Sequence, residues 1–510
     1  MENLCQLCSS LGYLLLRSAE KFPTRTAVIY QGKSISYACL QQMANSLAAF
    51  LKEQGIGPGE RVGLSCPNSP LFIVAYMGIL QVGASVVPIN LLLSPEEVVY
   101  ILNDAEVKAV IYWSAAGVNM ATLKDRIPSL NCLLVAGASG EKGLFSVEEV
   151  IGRPCPPVKI PSLNQVKDVA AILYTSGTTG QPKGAMLTHR NLLFNVNSIV
   201  NTLPLRQEDI FVAVLPLFHA FGATACMLVP LALGATIVAL PRFSPEEVAR
   251  TIKNVRATVF MGVPSMYFLL SQIPGEQRPD FSSLRFCISG GAPLPIEVME
   301  KFEKQYGVLI YEGDGPTECS PVTAVNPVGG RRKPGSIGLP ISGVEMKIVD
   351  ETGKELPDGQ IGEIIVRGEN VMKGYLHREE ETRQSFFGEY FRTGDLGYRD
   401  QDGYFFIVDR KKDMIIVNGL NVYPRMVEEV LYRHPAVAEA AVVGHPHPLH
   451  GEVPRAVLVL KPGMVVSRAE IIRFCRQYLG RHEVPVIVEF VSQLPKTPTG
   501  KILKKDLRKH

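Results

Sequence analysis

The sequence predicts an α/β protein that continues into a β-rich stretch and ends in a separate, compact α+β unit. Three observations predict this. From about residue 27 to 315, short apolar runs alternate with helical stretches, the pattern of layered sheets with largely parallel strands. Beyond Pro334 the runs shorten and are joined by Gly and Asp turns, which reads as a meander or small barrel. Past a charged knot, Asp409-Arg410-Lys411-Lys412-Asp413, strand and helix patterns form a unit of their own.

Strands are expected at 62–65, 107–113, 132–136, 170–174, 258–261 and 286–289, each an apolar run of strand length with helical periodicity between them. In such layers the loops at the strand ends carry ligands, so function is sought there. Residues 212–240 hold no Asp, Glu, Lys or Arg and are long enough to span a bilayer. Pro216, His219, Gly222, Pro230 and Gly234 interrupt them, however, and 235–240 is strand-like, so a buried strand–helix–strand passage is expected and no integral membrane span. Turns are expected at 350–353, 357–359 and 401–403. Strands at 440–443 and 456–460 then flank helices at 423–432 and 467–479, and the domain boundary is placed at the knot, giving 1–409 and 410–510. No period of about 20–50 residues recurs, which excludes a repeat protein.

With 510 residues the chain is too long for one compact core and suits an enzyme with moving parts. Its 52 Lys+Arg against 49 Asp+Glu leave +3, a balance that points to no nucleic-acid partner. The ten cysteines are scattered; Cys5 and Cys8 form a lone C-x-x-C without a second pair, read as chance spacing rather than a zinc site. The first sixteen residues lack a basic region ahead of an apolar run, so no secretory signal and a reduced, cytoplasmic compartment are expected. A peripheral membrane contact, helped by Lys504, Lys505, Arg508 and Lys509, stays open.

The strongest local signal is Thr175-Ser176-Gly177-Thr178-Thr179-Gly180-Gln181-Pro182-Lys183-Gly184, directly after an apolar strand. Glycines let backbone amides approach phosphate oxygens, hydroxyls add donors, and Lys183 supplies a mobile positive charge. It is not a Walker A loop, because Pro182 and Gly184 stand where that motif needs Gly before the lysine and Ser or Thr after it. A flexible linker has no use for the Pro-Lys-Gly.

This segment resembles the phosphate-binding loop of the adenylate-forming (ANL) superfamily of acyl-CoA synthetases, luciferases and peptide-synthetase adenylation domains. Further motifs of that family follow in its order: Ser289-Gly290-Gly291-Ala292-Pro293, Gly315-Pro316-Thr317-Glu318, Thr393-Gly394-Asp395, Asp409-Arg410 with Lys412, Asn418-Gly419, and Pro495-Lys496-Thr497 with Gly500-Lys501. The resemblance implies a large N-terminal domain of two α/β subdomains plus a β-barrel, and a small mobile α+β C-terminal domain that swivels between two half-reactions. It further implies ATP, Mg2+ and coenzyme A as substrates and cofactor. By matching position, Glu318 holds magnesium together with Thr178, Thr317 donates to the α-phosphate, and Asp395 with Arg410 grips the ribose. Lys501 bridges the attacking carboxylate and the α-phosphate. Lys412 is the hinge, and Gly419 admits the pantetheine arm of coenzyme A.

Three departures stand out. Asp314 occupies the place of an aromatic that stacks on adenine, so the base rests more on 290–293; Met426 replaces a common Glu, and Ile416 a common Lys. In the acid pocket, His219 stands where amino-acid-activating relatives place an aspartate, so an amino acid is not expected; Gly222, Gly262 and Gly290 leave room for a chain. The chain is most similar to fatty acyl-CoA synthetases, with medium or long fatty acids the leading reading and aryl acids second. Rivals are a fatty acyl-AMP ligase loading an acyl carrier protein, against which the compact 335–369 speaks, and a silent nucleotide- or acyl-binding module, which has no need of Lys501. A homodimer stays open.

Overall fold

The computed structural model describes residues 3–115, 117–137, 143–175, 181–496 and 502–508. The strands expected at 132–136 and 286–289 form with those bounds, while the one expected from 107 begins at Ala109. The reason is local. Val107 still donates its N–H to the Leu102 carbonyl, closing helix Pro95–Asp104 through a left-handed Glu106, before the chain can extend. The passage 212–240 folds as strand Ile210–Ala213, a buried helical stretch and strand Thr236–Ala239. Pro230 has no N–H to give, and a π-turn at Thr224–Leu228 accommodates it before the helix ends at Gly234, φ +73°. Among the described residues no helix is long and apolar enough to cross a membrane.

Two α/β sheets build the large part. In the first, of eight strands among the described residues, Val169–Thr175 (β1) pairs antiparallel with Lys183–Thr188 (β2), next to parallel strands Ser85–Pro88, Arg61–Ser65, Ala109–Trp113 and Cys132–Ala136. Helix His189–Thr202 (α1) follows β2 at once, capped by Thr188 in a reciprocal box with Asn191. In the second sheet, of nine strands among the described residues, Phe286–Ser289 (β3) and Ile310–Asp314 (β4) lie side by side and parallel, so their C-terminal ends open into one crevice. One continuous apolar core joins both sheets, with Phe72, Phe260 and Phe302 at its centre.

The β-rich part is an antiparallel sheet, of five strands among the described residues, in which Tyr390–Arg399 (β5) pairs with Phe405–Arg410 (β6). From β6 the chain turns through 411–413 into hairpin Ile415–Val417/Leu420–Val422, then helix Pro424–Tyr432 (α2). α2 packs on a small sheet of long strands Val437–His447 and Gly451–Leu460, which hold the expected 440–443 and 456–460. Val427, Leu431, Val442 and Leu458 give this unit its own core. The helix expected at 467–479 is shorter, Arg468–Cys475, started by Ser467 in a capping box with Glu470.

Candidate active site

A cavity of about 490 Å³ lies where the C-terminal ends of β3 and β4 face β1 and the start of the C-terminal unit. It brings together Thr175, His219, Gly290, Gly291, Asp314, Gly315, Thr317, Glu318, Arg410 and Lys412. Sequence-distant motifs thus share one wall, because parallel neighbours end at the same level. Leu503, next to the motif at the end of the chain, also lines it. Ala292, Pro293, Asp395 and Lys183 are not among the lining residues, nor is Gly419, which sits in the hairpin turn between Val417 and Leu420 at φ +80°. Ser176, Gly177, Thr178, Thr179, Gly180 and Lys501 lie outside the described residues.

Glu318 sits in a single turn, Thr317–Cys319, that follows β4. Its Oε1 accepts a hydrogen bond from the Tyr375 hydroxyl at 2.8 Å and a longer one from Thr175 at 3.4 Å. Burial and the Glu318 charge push the Tyr375 phenol well up, so it stays a proton donor. Tyr375 also places its ring 5.5 Å from the Lys183 ammonium, which lies 4.0 Å from Glu381. One tyrosine thus contacts both the candidate metal ligand Glu318 and Lys183. Sequence reasoning missed it, since an isolated Gly-Tyr carries no motif.

Asp395 and Arg410 are directly opposed across β5 and β6, and the guanidinium meets the carboxylate at 2.8 Å. That carboxylate, before any other neighbour, holds Arg410 more basic than usual. The buried carboxylate and half-exposed arginine form a fixed pair of acceptor and donor at the cavity edge. Gly315 has a strict reason to be glycine. A Cβ there would fall 1.6 Å from the Pro321 carbonyl oxygen.

Also in the cavity lining, His219 caps a short helix; its Nδ1 accepts from the Phe221 N–H at 3.3 Å, so the neutral ring carries its proton on Nε2. Gly222 and Gly262 do not line the cavity as expected of an acid pocket. A Cβ on Gly222 would be 2.2 Å from the Pro216 carbonyl oxygen, and one on Gly262 would meet the Phe260 and Tyr267 rings at 3.2–3.4 Å, so both serve close packing. Apolar lining comes instead from Ile199 and Leu203 of α1 with Ala225, Val322 and Ile341.

β4 itself carries a buried carboxyl that the sequence did not single out. Glu312 accepts from the Leu294 N–H at 3.2 Å, and burial pushes it up to about 7 against the pull of Arg425. An unfolded glutamate titrates near about 4.3, so between that pH and about 7 the fold holds a proton that the unfolded chain releases. Stability from this group is present at low pH and lost as pH rises through the folded value. Thermal denaturation from about pH 5 to 8 is expected to shift in favour of Glu312→Gln relative to the parent protein as pH rises. A stability difference independent of pH would show that Glu312 does not titrate in this range.

Comparison with known proteins fits this geometry. Residues 15–376 match the AMP-binding enzyme family and residues 426–501 the AMP-binding enzyme C-terminal domain. A long-chain-fatty-acid–CoA ligase of Bacillus subtilis is 38% identical over 98% of this chain and 94% of its own. A feruloyl-CoA synthase of an Amycolatopsis species is 36% identical over 98% of both chains. The crystal structure of an anthranilate CoA ligase in complex with anthranoyl-AMP superposes with a TM-score of 0.92 at 32% identity, covering 98% and 96%. The chain belongs to the AMP-binding enzymes of the adenylate-forming superfamily. Within it the chain falls among the AMP-forming acyl- and aryl-CoA ligases, a group that works with ATP, Mg2+ and coenzyme A.

Proposed function

We propose that the chain activates an aliphatic carboxylic acid, of medium or long chain, as an acyl-AMP with release of pyrophosphate, and passes the acyl group to coenzyme A. The observation that carries the choice of acid is the apolar part of the cavity's lining. Ile199, Leu203, Ala225, Val322 and Ile341 present an apolar wall free of charged side chains, which suits a hydrocarbon tail and has no partner for an amino group. An aryl acid is the second reading, favoured by the likeness to the feruloyl-CoA synthase.

In this reading the nucleotide's sugar hydroxyls donate to Asp395 while Arg410 keeps that carboxylate aimed. Thr317 faces the α-phosphate, and the 290–291 backbone with Asp314 frames the base. Among the described residues no cluster of three His, Cys, Asp or Glu side chains could hold a metal alone, so Glu318 fits as the protein ligand of a Mg2+ carried on the phosphates. When bound, that ion neutralises phosphate charge and eases pyrophosphate departure. Tyr375 and Thr175 fix the Glu318 carboxylate for it.

Residues 1–409 act as the acid- and ATP-binding domain and 410–510 as the swivelling domain, with Lys412 as pivot. Its carbonyl accepts from Arg508 at 3.4 Å, and Arg508 also pairs with Asp413 at 2.9 Å, so the pivot is braced from the C-terminal unit. Lys412→Pro is expected to block coenzyme A transfer and spare adenylation, because a fixed φ cannot follow the backbone change. An unaltered overall rate would remove Lys412 from that role.

The test of the whole reading is acid-dependent pyrophosphate release from ATP and Mg2+ across acetate, octanoate, palmitate, benzoate, coumarate and amino acids, with and without coenzyme A. Release with octanoate or palmitate and an acyl-CoA product supports it. Preference for benzoate or coumarate selects the aryl reading. Acyl-AMP that coenzyme A cannot discharge points to a carrier-protein loader, and no turnover with any acid to a silent binding module.

A further inference from the structure

Arg425, near the start of α2, is buried: its side chain is 7% exposed. Its guanidinium donates to the Ile407 carbonyl on β6 at 2.5 Å and stands 3.8 Å from Glu312 on β4 and 3.6 Å from Glu429 on its own helix. Its main-chain N–H donates to the buried Asp409 carboxylate at 2.9 Å. One residue of the C-terminal unit thereby engages two strands of the large part. Both strands lead into the cavity, β4 through Asp314 and β6 through Arg410.

The Glu312 side is the more demanding. Its Oε2 is buried without a hydrogen-bond partner, and among the described residues Arg425 is the cation within ion-pair distance of that carboxylate. Departure of α2 would leave a buried carboxylate uncompensated, a strongly unfavourable change. A second ion pair between the two parts, Arg433 with Glu297 at 3.8 Å, is half-exposed and worth little by comparison.

We propose that Arg425 is a latch, a positioning residue whose pairing with Glu312 on the strand that leads into the nucleotide site holds the C-terminal unit in the pose where adenylate forms. The proposal rests on the two-step ligase reading above. The latch ties the pose to β4 itself, so release of α2 and any shift at Asp314–Gly315 are mechanically linked.

Arg425→Met and Glu312→Gln each remove one charge with little change of volume, while Arg425→Lys keeps a charge and loses the planar fork. Fluorophores on Cys39, which is exposed, and on an introduced Val465→Cys, at a position 96% exposed, report the distance between the two parts in the full chain without substrates. Both charge-removing variants are expected to shift the energy-transfer distribution away from the parent's, with Arg425→Lys between. In separated half-reactions they should slow adenylate formation by about tenfold or more while changing discharge of supplied acyl-AMP to coenzyme A by less than about twofold. An unchanged distribution, or an equal fall in both half-reactions, overturns the latch. A shifted distribution in a protein that activates no acid leaves the latch standing and removes the ligase reading instead.

Discussion

Lys501→Ala is expected to lower acyl-AMP formation by about a hundredfold or more and to leave transfer from supplied acyl-AMP to coenzyme A within a few-fold of the parent rate. As an acid carboxylate attacks the α-phosphate, negative charge concentrates on the phosphorane oxygens, and a positioned ammonium is worth most at that moment. Two structural facts support assigning the task to Lys501. The neighbouring Leu503 lines the cavity, and Lys496 and Ile502 pair as a β-bridge around the motif. Pyrophosphate exchange reports the first step and acyl-CoA formation from synthetic acyl-AMP the second. Equal losses in both would sink the role.

The second large effect is expected at Gly315. With a Cβ 1.6 Å from the Pro321 oxygen and 2.8 Å from the Thr323 nitrogen, Gly315→Ala cannot be absorbed by a side chain moving aside. The backbone from Asp314 to Thr323 must give, although Thr323 donates both its N–H and its hydroxyl to the Asp314 carbonyl. Thr317 and Glu318 ride on that segment. The variant should lose roughly 3 kcal/mol of stability or more and most of its adenylation. Gly394→Ala is the control: it lies beside Asp395 at φ +73° with nothing within 4 Å of its Cβ, so only backbone strain of about 1–2 kcal/mol applies. Similar unfolding temperatures for the two variants would show that the crowding at Gly315 is relieved cheaply.

The α/β layering was legible in the sequence because buried parallel strands are continuous apolar runs, and Cys132–Ala136 and Phe286–Ser289 were read to the residue. The helical passage after Ala213 was legible too, since Pro and Gly punctuate it. The motifs singled out Glu318, Asp314 and Arg410 in the sequence, and the fold brings all three to one cavity. What stayed hidden depends on tertiary approach. Gly222 and Gly262 look like pocket residues in a string, yet only folding shows that each glycine answers a neighbouring backbone or ring. Tyr375, Glu312 and Arg425 owe their roles to partners far along the chain, and no local spacing announces such a pairing.

The facing of Asp395 and Arg410 rests on strand register. Between Leu396, opposite Asp409, and Gly397, opposite Ile407, the ladder slips by one residue, and this bulge brings the acid and the base level. The turn at the far end is tied down: Asp400 accepts from the Asp402 and Tyr404 N–H groups and pairs with Lys333, which also pairs with Asp402. Surface turns are ordinarily the places where a chain tolerates insertions and accepts tags or fused domains. This one is a poor host. A single added residue that slid one strand past the other would turn Asp395 and Arg410 onto opposite faces, so the length of this hairpin is held to one value by a pairing at its distant end.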